Sequence, residues 1–237
     1  MSTDAFANSS DAARSARPLR HLQRLEMPGP FALERGGVLP AVTVAFETYG
    51  TLDAERGNAV LLCHALSGDS HVARHDPSDD PGWWDCLVGP GKHIDTRRLF
   101  VICANVLGGC RGTTGPDSLD PRTGAPYGPD FPDITMGDVV RTQVALVDHL
   151  GIARLQAVVG GSMGGMQAML WATVHPERTA AVALLATAHR LGAQALAFDV
   201  VARNAIIRDP DFAGGAYYGR EHGPEVGLAI ARMLGHI

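Results

Sequence analysis

The sequence predicts an α/β protein built on a mostly parallel sheet flanked by helices. Three observations carry that reading. First, four short, continuous apolar runs (Ala59–His64, Leu99–Val106, Leu155–Val159 and Ala180–Ala186) have the composition of strands buried on both faces. Second, segments with helical spacing or strong helix formers separate or follow the later runs. Third, strands alternate with helices, as a parallel sheet requires, because each parallel neighbour needs a crossover.

The elements follow in chain order. Residues 1–20 are rich in Ser, Ala and Arg, carry Asp4 and Asp11, and have no apolar stretch. They read as a disordered leader, not a secretory signal. Ala41–Tyr49 is rich in β-branched and aromatic residues and reads as a strand, and Ala59–His64 is the next. Ser67–Asp95 is polar and broken by prolines and glycines, so it reads as loop before the strand Leu99–Val106. Gly108–Gly137 holds seven glycines and five prolines and is irregular by the same logic. Gly137–Leu150 places Val140, Val144 and Val147 at helical spacing, and Gly151 ends the helix. After the strand Leu155–Val159, Met163–Val174 reads as a helix closed by His175-Pro176. Ala180–Ala186 reads as another buried strand, with helices over Gln194–Arg208 and Gly223–Leu234.

Composition excludes several function classes. A chain of 237 residues with 46% hydrophobic content can bury a large core. A net charge of −5 argues against a nucleic-acid-binding face. No apolar run reaches the ~18 residues of a membrane span. Cys63, Cys86, Cys103 and Cys110 form no CxxC pair, so no structural metal and no disulfide framework is expected. That cysteine usage fits a reducing, cytoplasmic compartment.

The chemistry concentrates in Val158–Met166. Gly160, Ser162 and Gly164 match G-x-S-x-G between a buried strand and a helix, the context of a nucleophile elbow. The sharp turn exposes the serine hydroxyl, and the flanking glycines let strand and helix approach without a Cβ. The helix N-terminus offers amides to a developing oxyanion. An ordinary Gly-rich turn gripping a phosphate is the alternative, but no P-loop lysine follows and no G-x-G-x-x-G is present. Cys63-His64-Ala65-Leu66-Ser67-Gly68 also follows a buried strand. The backbone amides of Leu66 and Met163 are therefore the expected oxyanion-hole pair. His64 precedes the serine, the wrong chain order for the base of this arrangement.

Several blocks resemble the homoserine O-acyltransferases of methionine biosynthesis, which have the α/β-hydrolase fold. They are His64–His71 (HALSGDSH), Gly82–Thr96 (GWWDCLVGPGKHIDT), Asn105–Pro116 (NVLGGCRGTTGP), Phe131–Gln143 (FPDITMGDVVRTQ) and Gly160–Gln167 (GGSMGGMQ). The resemblance runs from about Leu22 to the last residue. It implies that Ser162 takes an acyl group from acyl-CoA, acetyl-CoA by preference, and passes it to L-homoserine. It implies that Arg232 meets the amino acid's carboxylate, a group a guanidinium fork suits. It also implies a homodimer and a helical cap, of which residues 191–237 are the beginning over a core of residues 21–190. Acyl-CoA is a co-substrate, and no bound cofactor is expected.

One departure stands out. The fold places an acid and a histidine on later strand ends than Ser162. Only one more strand follows the elbow, and Asp199, Asp209, Asp211, Glu221, Glu225, His175, His189, His222 and His236 lie in helices or loops. The triad Asp and His are therefore expected to be absent from this chain, which reads as an N-terminal part of a longer enzyme, inactive alone. Succinyl transfer, serine as acceptor, an esterase and an inactive module lacking the triad are the competing expectations.

Overall fold

The computed structural model describes residues 18–236. Most of the expected leader lies outside the described residues; at its end, Arg20 hydrogen-bonds Ser78 (3.2 Å) and Asp76 (3.4 Å). The strands are β1 (Gln23–Glu26), β2 (Phe31–Ala32), β3 (Val38–Leu39), β4 (Thr43–Tyr49), β5 (Ala59–Cys63), β6 (Val88–Gly89), β7 (Ile94–Asp95), β8 (Phe100–Ala104), β9 (Ala157–Gly161) and β10 (Val182–Leu185). The α-helices are α1 (Met136–His149), α2 (Met163–Val174), α3 (Ala193–Ile207) and α4 (Glu225–Leu234).

Six strands form one sheet in the order β1-β4-β8-β5-β9-β10. β8, β5, β9 and β10 are mutually parallel, as the four apolar runs predict. β4 runs antiparallel to β8, and β1 to β4. Every residue of β5 and β8 is buried, which is why those segments are apolar without alternation. β1 escapes sequence reading because only Leu25 of its four residues is buried.

The last strand corrects one expectation. Ala180–Ala186 reads as a doubly buried strand, yet Val182, Leu184 and Leu185 of β10 are 38%, 43% and 43% exposed. Among the described residues β10 pairs only with β9, so one of its edges has no strand neighbour. An apolar run reports the preference for burial, and the neighbours decide whether it is met.

Helix α1 begins one residue earlier than its valine spacing suggests, and its ends explain both boundaries. Thr135 is the N-cap of a capping box: its hydroxyl accepts from the Asp138 amide (3.1 Å), and Asp138 accepts from the Thr135 amide (2.9 Å). At the other end Gly151 takes φ +69°. Its amide bonds the Asp148 carbonyl, and the Ile152 amide bonds that of Val147 (3.0 Å), a Schellman closure. The helix turns Val139, Val140, Leu146 and Val147 into the core.

The glycine-rich stretch after β8 is irregular but zipped to the sheet. The Asn105 and Thr114 amides bond the Ala45 and Thr43 carbonyls of β4. The Thr113 and Thr114 hydroxyls accept from the Ala45 (2.9 Å) and Thr43 (2.8 Å) amides. Beyond the sheet, α3 and α4 pack closely. A Cβ on Gly227 would lie 2.7 Å from Ile206 Cα, and Asp209 accepts from the Gly227 amide (2.7 Å). No helix among the described residues is long and apolar enough to cross a membrane.

Candidate active site

Ser162 joins β9 to α2 and occupies φ 53°, ψ −122°. For a non-glycine residue this is a strained conformation, and it persists only where the surroundings over-determine it. Here they do. The Ser162 amide donates to the Leu185 carbonyl of β10 (3.0 Å). Its carbonyl accepts from Thr187 Oγ1 (2.7 Å) and from the Gly165 amide (3.0 Å). The side chain is left exposed, and no hydrogen bond to its hydroxyl from any histidine or carboxylate is found among the described residues.

The two motif glycines are steric requirements. A Cβ on Gly160 would lie 2.8 Å from the Gly165 amide nitrogen and closer still to the Gly164 carbonyl. A Cβ on Gly164 would lie 2.7 Å from the Cys63 carbonyl carbon, nearer to its oxygen, and 3.0 Å from the His64 oxygen. Helix α2 thus rests directly on the end of β5. The β5–β9 register, with Cys63 opposite Gly160, sets the turn His64–Leu66 beside the elbow. The amides of Leu66 and Met163 donate no hydrogen bond within the described residues. Their side chains differ in setting: Leu66 is 80% exposed and Met163 opens α2.

His64 is a structural residue. Its Nδ1 lies 2.7 Å from the Ala65 carbonyl, which can only accept, so Nδ1 carries the proton. Nε2 then accepts from the Val106 amide (3.2 Å). Burial pushes its pKa below the ordinary histidine value, against the opposing pull of the Ala65 carbonyl and Asp69. A neutral ring with both nitrogens engaged is no base for Ser162.

Sequence reasoning missed the polar frame around this turn. Gln167 on α2 donates to the His64 carbonyl (3.3 Å) and accepts from Gln143 of α1 (2.6 Å). Gln143 in turn accepts from the Trp171 indole (2.9 Å). Asn105 accepts from the Ser70 amide (2.8 Å) and donates to the Arg111 carbonyl (2.7 Å). All these amide side chains are buried. The only signal in the sequence was the presence of glutamines on apolar helix faces.

Arg232 sits in the last turn of α4, exposed. No hydrogen bond or ion pair joins it to the elbow among the described residues.

The chain matches the family model for the alpha/beta hydrolase fold over residues 58–233. It is 55% identical over 226 residues to a homoserine O-succinyltransferase from Magnetococcus marinus, covering 92% of this chain and 57% of that protein. It is 53% identical over 216 residues to a homoserine O-acetyltransferase from Desulfotalea psychrophila, covering 90% and 55%. Among solved structures, a homoserine O-acetyltransferase from Bacillus anthracis aligns with TM-score 0.81 at 38% identity, covering 92% of this chain and 60% of that one. Esterase E22 aligns with TM-score 0.83 at 39% identity, covering 90% and 60%. The chain thus spans rather more than half the length of these curated relatives. A serine held at left-handed φ between a parallel strand and a helix, on this sheet order and with this sequence match, has one consistent assignment: the chain belongs to the alpha/beta hydrolase fold family.

Proposed function

We propose that the protein transfers an acyl group from acyl-CoA to the hydroxyl of L-homoserine through an acyl-serine intermediate. The observation that carries this is the strained, exposed Ser162 at the turn between β9 and α2, with the amides of Leu66 and Met163 donating no hydrogen bond among the described residues. Ser162 Oγ attacks the thioester carbonyl, the C–S bond breaks, and CoA leaves as its thiol. Homoserine's hydroxyl then attacks the serine ester, giving O-acyl-homoserine and free Ser162. The Leu66 and Met163 amides hold the oxyanion in both halves. Loss of one such donor typically costs on the order of 10²-fold in rate.

Arg232 is proposed to receive the homoserine carboxylate, and acetyl is the proposed donor group. The relatives' names divide between acetyl and succinyl at 53% and 55% identity, so identity alone favours neither. A triad Asp and His are proposed to come from the part of the relatives' length that this chain does not span. The intact protein is proposed to work as a cytoplasmic homodimer, with acyl-CoA as co-substrate and no bound cofactor.

Mass spectrometry and a thiol assay test the mechanism on the intact protein. Acetyl-CoA alone should add one acetyl group at Ser162 with release of CoA, and homoserine should remove it. Ser162→Ala should lower CoA release by at least about 10⁴-fold. CoA release that survives in Ser162→Ala refutes the mechanism. Release of acetate to water with no O-acetyl-homoserine assigns the site to an esterase instead.

A further inference from the structure

A second polar cluster lies where the loop after β5 meets β4. Glu47 on β4 is fully buried, and His71 and His75 approach it from the loop with side chains 11% and 17% exposed. His71 Nδ1 lies 3.1 Å and His75 Nε2 2.8 Å from Glu47 Oε2. One ligand atom from each of the three lies within 4.8 Å of the others.

We propose that Glu47, His71 and His75 form a binding site for a divalent ion of the zinc class, which clasps this loop to the sheet. Four features support it. Two imidazoles and one carboxylate are a donor set that zinc takes with a fourth position left open. With bonds of about 2.0–2.1 Å, the donors of a tetrahedral site stand roughly 3.3 Å apart, so the two separations from Glu47 need only a slight opening. The second nitrogen of His71 is already fixed: Nε2 lies 2.7 Å from the Asp80 carbonyl, which can only accept, so Nε2 carries a proton. That is the outer bond metal-ligating histidines make, and it turns the Nδ1 lone pair toward Glu47. Finally, Glu47 Oε1 is buried with no hydrogen-bond partner among the described residues, so the carboxylate is not fully satisfied without a further positive partner.

The surroundings hold the donors in place before any ion arrives. The Tyr49 hydroxyl donates to Glu47 Oε2 (2.9 Å) and accepts from the Val72 amide (2.9 Å). The His75 ring is stacked on Tyr49, with centroids 4.3 Å apart, and contacts the His21 ring at 4.0 Å. The absence of a CxxC pair says nothing against this site, because none of its donors is a cysteine.

The experiment uses the intact protein, stripped with a chelator and titrated with Co²⁺ and then Zn²⁺. Ligand-field bands should grow to one equivalent of Co²⁺ and collapse when Zn²⁺ displaces it. At free Zn²⁺ about a hundredfold above Kd, Tm should rise by roughly 5–11 °C. His71→Ala and His75→Ala should each weaken uptake by roughly a hundredfold or more. His189→Ala, at an exposed histidine outside the cluster, should leave uptake unchanged. The wild-type titration does not depend on any variant folding. No one-to-one uptake at micromolar metal overturns the proposal, and so does uptake that persists in both cluster variants.

Discussion

Gly164→Ala separates helix propensity from packing by sign. On propensity alone, alanine in a helix is worth about 1 kcal/mol more than glycine, so the change should stabilise α2. The tertiary contacts point the other way. The new Cβ would stand 2.7 Å from the Cys63 carbonyl carbon and must reach at least 3.4 Å for an ordinary contact. The atoms it meets belong to the backbone of β5, a strand paired on both sides, which cannot step aside as a side chain would. Overpacking of this kind costs about 1–3 kcal/mol, and a rigid backbone neighbour puts it at or above the upper end. Net of propensity, about 2–3 kcal/mol should be lost, or roughly 4–12 °C in Tm for a chain of this length. Urea unfolding followed by circular dichroism measures it. Gly57→Ala is the control, since a Cβ there meets only Asp53 Oδ2 at 3.9 Å, an ordinary contact, and it should stay within about 0.5 kcal/mol. A Gly164→Ala protein as stable as the parent, or more stable, would show that α2 does not rest on β5 as described. The same variant should also lose Ser162 acylation, because the elbow moves with the helix.

Further outcomes follow from the buried polar groups. Gln143→Leu strands the Gln167 carbonyl oxygen and the Trp171 indole N–H, and should cost about 2–5 kcal/mol by urea unfolding. Burial alone would raise the Asp138 pKa, but its bonds from the Thr135 and Glu34 amides and from Arg141 outweigh burial and hold it below the usual carboxylate range. A carboxyl depressed in the folded state stabilises above its unfolded pKa, and that contribution fades as pH falls through the folded value. Asp138→Asn should therefore lower Tm near pH 7 and flatten its fall in acid. An unchanged acid limb in thermal melts would count against the capping assignment.

Much of the fold is legible in the sequence. The continuous apolar runs located β5, β8, β9 and β10, since a strand covered on both faces has no reason to alternate. Gly151 and His175-Pro176 marked helix ends because only glycine takes φ +69° without strain and proline cannot continue a helix. β1, β2 and β3 were not legible: they are two to four residues long, with one buried residue each. Position along the chain cannot reveal strands that exist only through their partners.

The candidate site divides in the same way. Sequence by itself placed Ser162 at a sharp strand–helix turn, because G-x-S-x-G between a buried strand and a helix answers a local steric problem. It also located the turn after β5, which the β5–β9 register sets beside the elbow. Only the tertiary structure decided what His64 does, since a ring's role depends on which groups face its two nitrogens. Only the tertiary structure brought Glu47 to His71 and His75, joining β4 to a loop on the far side of β5 in sequence. It also left β10 half exposed, although its composition asks for burial. Local sequence sets conformational preference and chemistry; proximity between distant segments, and therefore electrostatics and burial, belongs to the folded chain.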